Sequence, residues 1–105
     1  MTKTERRPAI HPGEILGQEL EELDLTPTEL ARQLNVPANR ITQIIQGKRA
    51  ITGDTALRLG HWFGTSAQFW LNLQAAYEIR VAQSLAGEEI EKLPTREARQ
   101  AISHR

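Results

Sequence analysis

The chain contains no cysteine, which removes disulfide staples and thiolate zinc sites from consideration at once. It also lacks any apolar run approaching the roughly 20 residues needed to span a bilayer, and residues 1–12 are polar where a secretory signal is apolar. The expectation is therefore a soluble cytoplasmic protein with no membrane contact. His11, His61 and His104 are widely scattered, with no HExxH or similar ligand spacing, so no metal site is expected. No nucleophile with an evident base, no phosphate-cradling glycine loop and no paired carboxylates in an apolar setting stand out. Neither an enzyme nor a cofactor is expected. At 105 residues the chain can bury one modest core, which favours a single small domain of well-packed helices, aided by a partner subunit.

Charge of one sign is lacking too, since 13 Lys and Arg offset 13 Asp and Glu. That neutrality is an average over uneven segments. Residues 1–31 carry three basic side chains (Lys3, Arg6, Arg7) against seven acidic ones (Glu5, Glu14, Glu19, Glu21, Glu22, Asp24, Glu29), a net of −4. Residues 32–58 carry five basic side chains (Arg32, Arg40, Lys48, Arg49, Arg58) against Asp54 alone, a net of +4. The basic stretch is the middle of the chain.

Residues 1–10 show no period and read as a flexible arm. A first helix begins at His11-Pro12-Gly13-Glu14, with proline in the first turn and an acid behind it, and Ile15, Leu16, Leu20 and Leu23 recur on one face. Thr26-Pro27-Thr28-Glu29 has the form of a capping box opening a short second helix, buried through Leu30, Ala31 and Leu34. After the tight link Asn35-Val36-Pro37, Ile41, Ile44 and Ile45 define a third helix, closed at Gly47. Thr52 is a cap candidate for a fourth, with Ala56, Leu59 and Phe63 inward and Gly64 at its end. Thr65-Ser66-Ala67-Gln68 opens a long fifth helix reaching about Leu85. The fold class expected is all-α: five helices over residues 11–85, an extended fifth helix, and a loosely packed tail over residues 86–105 in which a short helical turn is possible.

Two short helices joined by a three-residue turn have the shape of a helix-turn-helix, whose second member can enter the major groove of DNA. With its isoleucines turned inward, that member leaves Ala38, Asn39, Arg40, Thr42 and Gln43 facing out. Asn and Gln can pair with adenine, Arg with guanine, and Ala can touch a thymine methyl. The helix carries no Asp or Glu to repel phosphates. Lys48 and Arg49 follow in the loop where a DNA backbone would pass, and Thr26 and Thr28 stand at the start of the second helix, where free N–H groups can meet a phosphate. The bland alternative is a solvated polar surface on a small helical domain. Density of Phe69, Trp70, Leu71, Leu73 and Tyr77 on the fifth helix points to self-association, the alternative being that they only close the monomer core. Glu19, Glu21, Glu22 and Asp24 are either a docking face for a basic partner or a solvated helix face.

Thr26 to Ala31, Val36, Ile41, Ile44 and Gln46-Gly47-Lys48-Arg49 together resemble the phage-repressor or XRE type of helix-turn-helix. HPGEIL at residues 11–16, Ile51-Thr52, DTALRL at 54–59 and FWLNLQ at 69–74 widen this into a resemblance to HigA-type antitoxins over roughly residues 10–83. The resemblance implies a phage-repressor-like domain that binds an inverted repeat in double-stranded operator DNA as a homodimer, represses its own operon, and neutralises a HigB/RelE-like mRNA-cleaving toxin. It places base reading on the same five residues, Ala38, Asn39, Arg40, Thr42 and Gln43. Many relatives carry Gln at the position of Pro27 and Ser or Thr at Pro37, so two polar contacts of those relatives are absent here. The other readings left open are a regulator with no toxin partner and a toxin-binding protein with little DNA-binding activity.

Overall fold

The structure is a computed structural model that describes residues 9–103, with side chains through residue 99. Most of the expected N-terminal arm, together with His104, lies outside the described residues. The helices are α1 (Pro12–Glu22), α2 (Pro27–Leu34), α3 (Ala38–Ile45), α4 (Gly53–Phe63), α5 (Ala67–Glu91) and α6 (Arg96–Ser103). The first five stand where the hydrophobic spacing and cap signals put them, and no strand occurs among the described residues.

Local chemistry accounts for most of the boundaries. Pro12 occupies the first turn of α1, and the residue before it, His11, serves as N-cap: its Nδ1 accepts a hydrogen bond from the Gly13 N–H at 2.9 Å. The chain leaves α1 through Asp24 in the left-handed region (φ 55°), which lets the Leu25 N–H bond back to the Leu20 carbonyl at 2.9 Å. At α2 the Thr26 hydroxyl accepts from the Glu29 N–H at 3.1 Å, half of the expected capping box. The other half is replaced, because the Glu29 carboxylate turns to Arg32 and Gln33 instead. Asn35 closes α2 in the left-handed conformation (φ 59°). Pro37 caps α3 without any side-chain bond, and Thr52 does the same at α4, where a hydroxyl cap is expected from the sequence. Ser66 caps α5 by accepting from the Phe69 N–H at 3.0 Å.

The core collects one stripe from each of five helices and one loop residue: Leu16 and Leu20, Leu30, Ala31 and Leu34, Ile41 and Ile44, Ile51, Ala56 and Leu59, and Trp70. α2 packs on α3, α4 on α5, and α1 bridges α3 and α5. Burying these side chains supplies the dominant favourable term at roughly 25 cal/mol per Å² of apolar surface. Four stripe positions differ from the spacing. Leu23 is 51% exposed because α1 has already ended at Glu22, and Ile15, Ile45 and Phe63 are half-buried against the core.

Trp70 also takes a different place. It is 1% exposed inside a single chain, packs against Phe63 and Phe69, and its indole N–H donates to Thr65 Oγ1 at 3.1 Å. It therefore belongs to the chain's own core rather than to an open face. Leu71, Leu73 and Tyr77 are half-buried beside it, and Phe69 is 42% exposed.

The spacing predicts that α5 ends near Leu85, yet it continues through Gly87 to Glu91. A single interior glycine costs only about 1 kcal/mol relative to alanine, and the flanking Ala, Glu and Ile sustain the helix until Pro94 interrupts the pattern. The tail then forms α6, whose first turn is capped by the Thr95 hydroxyl accepting from the Ala98 N–H at 3.1 Å. Residues 88–99 are exposed throughout. The molecule consequently extends 64 Å along its longest axis against 27 and 21 Å across, with a radius of gyration of 18.7 Å where a compact chain of this length would show about 13 Å.

Candidate nucleic-acid interface

α3 buries Ile41 and Ile44 against α1 and α2 and turns its polar side outward. Ala38 and Asn39 are exposed, and Arg40, Thr42 and Gln43 are half-exposed on the same helix. All five residues expected at this face are thus presented together. Its height over the core is set by α1. A Cβ built on Gly13 would fall 1.8 Å from the Ile44 carbonyl oxygen, so the start of α1 touches the backbone at the end of α3. Nothing in the spacing of HPGE reveals this approach, although a glycine inside a first helical turn is its sequence trace.

Gly47, in the left-handed region (φ 77°), turns the chain back after α3, and the Lys48 N–H bonds to the Gln43 carbonyl at 2.8 Å. Lys48 and Arg49 lie in this turn, both exposed. The Arg49 Nε donates to Gln43 Oε1 at 3.0 Å, joining a residue of the outward face to the loop. The turn is held from behind by two residues that sequence reasoning leaves aside or assigns only to a helix start. Buried Gln74 of α5 accepts from the Ile51 N–H through Oε1 at 2.9 Å and donates through Nε2 to Glu78 at 3.0 Å. The His11 ring, 7% exposed, lies edge-on to Tyr77 at 4.8 Å and meets the Arg49 backbone. Desolvation lowers the His11 pKa, opposed by the Glu14 charge and by that backbone bond, so the imidazole is held neutral with Nδ1 as the acceptor.

One acid does stand beside the face, supplied by α4. Asp54 binds Arg58 at 2.9 Å and reaches Arg40 at 3.4 Å. The Arg58 hydrogen bond lowers the Asp54 pKa, and the carboxylate raises that of Arg58 in turn. Arg58 also donates to the Leu34 carbonyl at 2.9 Å, where cationic charge meets the negative end of α2. At the other end of α2, Thr26 and Thr28 are exposed, with the Thr26 oxygen already engaged as the cap. Arg32 pairs with Glu29 on the same helix, which lowers the Glu29 pKa, and so reads as a solvated pair. Glu21, Glu22 and Asp24 are exposed and Glu19 is half-exposed.

Among the described residues no helix is long and apolar enough to cross a membrane, and no group of three or more His, Asp or Glu could hold a metal ion. The architecture of a short helix, a turn and a second short helix with a polar outward face defines the helix-turn-helix class, and residues 16–70 match the family described as Helix-turn-helix. Within that class the chain is 51% identical over 77 residues to virulence-associated protein I of Dichelobacter nodosus, covering 72% of this chain and 71% of that protein. It superposes with a TM-score of 0.83 on an addiction module antidote protein of the HigA family from Coxiella burnetii, 52% identical, covering 85% of this chain and 98% of the other. The Pseudomonas aeruginosa antitoxin HigA, solved with the higBA promoter, gives a TM-score of 0.80 at 46% identity, covering 84% of this chain and 97% of that one. The chain belongs to the HigA family of helix-turn-helix antitoxins.

Proposed function

We propose that this protein is a cytoplasmic antitoxin that binds operator DNA as a homodimer, represses its own operon and neutralises a HigB/RelE-like mRNA-cleaving toxin. The observation that carries the DNA reading is the likeness to the Pseudomonas antitoxin found with promoter DNA, combined with an α3 face that is polar, free of acids in its own sequence and outward-facing. Ala38, Asn39, Arg40, Thr42 and Gln43 read base edges, while Lys48, Arg49, Thr26 and Thr28 hold phosphates. Pairing of two chains places two such helices roughly 34 Å apart, the spacing of successive major grooves. Self-association is supported by Phe69 and by Ile79, Leu85 and Ile90 on the projecting part of α5, all large apolar side chains more than two-fifths exposed. The toxin reading is supported by the likeness to the Coxiella addiction module antidote protein.

DNase footprinting of the region upstream of the gene tests the first claim. Protection of an inverted repeat is expected, and Asn39→Ala is expected to weaken it by about 1–3 kcal/mol. Equal affinity for a half-site and a full palindrome, with monomeric sedimentation, would remove the homodimer. If the adjacent reading frame encodes a RelE-like toxin, co-expression with this chain should restore growth; failure to do so would leave a regulator without a toxin.

A further inference from the structure

We infer that Arg49 is a specificity-determining residue: by clamping the Gln43 side-chain oxygen it commits the Gln43 amide to present N–H donors, which selects guanine over adenine at the base pair Gln43 meets. This rests on the DNA-reading role proposed above.

The turn at Gly47 makes the clamp possible. A positive φ there, and the Lys48 N–H on the Gln43 carbonyl, fold the chain back so that residue 49 lies over residue 43. The guanidinium has only donors to offer, so the Gln43 atom facing Arg49 Nε at 3.0 Å has to be its oxygen. The amide orientation is thereby set by chemistry. Gln43 Nε2 has no hydrogen-bond partner among the described residues, and the side chain is half-exposed on the outward face of α3.

An unclamped glutamine suits adenine, accepting from N6 while donating to N7. With Arg49 on the oxygen, an incoming N6 amino group would have to approach a positive guanidinium, while the free amide N–H groups remain available. Guanine presents two acceptors, O6 and N7, and no major-groove donor. The clamped amide is complementary to that edge. Arg49 keeps its terminal N–H groups for a phosphate, so it acts on affinity and on base choice by separate routes.

The test is selection from a pool of duplexes randomised across both half-sites, with wild type, Gln43→Ala, Arg49→Met and Lys48→Met, followed by affinities for single-base variants at fixed salt. Gln43→Ala should flatten the preference at one position per half-site and so locate it. There wild type should prefer guanine to adenine by at least about fivefold. Arg49→Met should reduce that ratio to about twofold or less as well as lowering overall affinity, whereas Lys48→Met should lower affinity with the ratio intact. If Arg49→Met weakens every base equally, or wild type selects adenine at that position, the clamp does not set specificity although the DNA reading stands. If wild type enriches no sequence at all, the DNA reading itself fails and the inference with it.

Discussion

Gly13 of α1 lies so close to Ile44 of α3 that the smallest side chain cannot fit between them: a Cβ would sit 1.8 Å from the Ile44 oxygen and 2.9 Å from the Cα of Ile45. The obstacle is backbone, which cannot rotate away as a side chain would. Gly13→Ala therefore forces α1 off α3. We expect a loss of at least about 2–3 kcal/mol in urea unfolding, at the upper end of overpacking costs, together with weaker operator binding because α3 loses its support. Gly53→Ala, where a Cβ meets nothing within 4 Å, serves as the control and should be nearly silent.

Gln74 connects α5 to the loop that follows α3 through the Ile51 N–H at 2.9 Å. Gln74→Met keeps most of the volume and removes the acceptor, leaving a buried backbone donor unsatisfied. The expected cost is about 1–3 kcal/mol, with increased hydrogen exchange at the Ile51 amide.

The lowered His11 pKa makes stability pH-dependent in a defined direction. In the unfolded chain the imidazole titrates near 6.5, and burial holds the folded value below that. Between the two values the unfolded state binds more protons, so stability is complete above pH 6.5 and declines as pH falls toward the folded pKa. Protonation would also place a proton on Nδ1, where the Gly13 N–H now donates. Urea midpoints at pH 7.5 and at mildly acidic pH, above the carboxylate range near 4, should differ in wild type. The difference should shrink in His11→Asn, which offers a cap oxygen without a titration in that range.

Asp54 places a carboxylate within 3.4 Å of Arg40, next to the surface proposed to meet DNA. Asp54→Asn removes a charge that phosphates would repel and releases Arg40. Affinity for random-sequence duplex should rise and its salt dependence steepen, while the ratio of operator to random affinity falls; fluorescence anisotropy across a salt series measures all three.

What the amino-acid sequence determined by itself is the part written in short-range terms. Proline and threonine at helix starts, Gly47 and Gly64 at helix ends, and the spacing of Leu30, Ala31, Leu34, Ile41 and Ile44 all act within one or two helical turns, so the helix-turn-helix and its outward residues were legible from spacing alone. Tertiary structure decided whatever depends on neighbours arriving from far along the chain. Trp70 and Phe69 are adjacent aromatics of the same helix, yet one is enclosed by α4 and the other left open. Asp54 meets Arg40 across fourteen residues and Gln74 meets Ile51 across twenty-three. No local periodicity encodes such encounters, because burial and electrostatic partnership are set by which helices pack together, and that is fixed only when the core as a whole is filled.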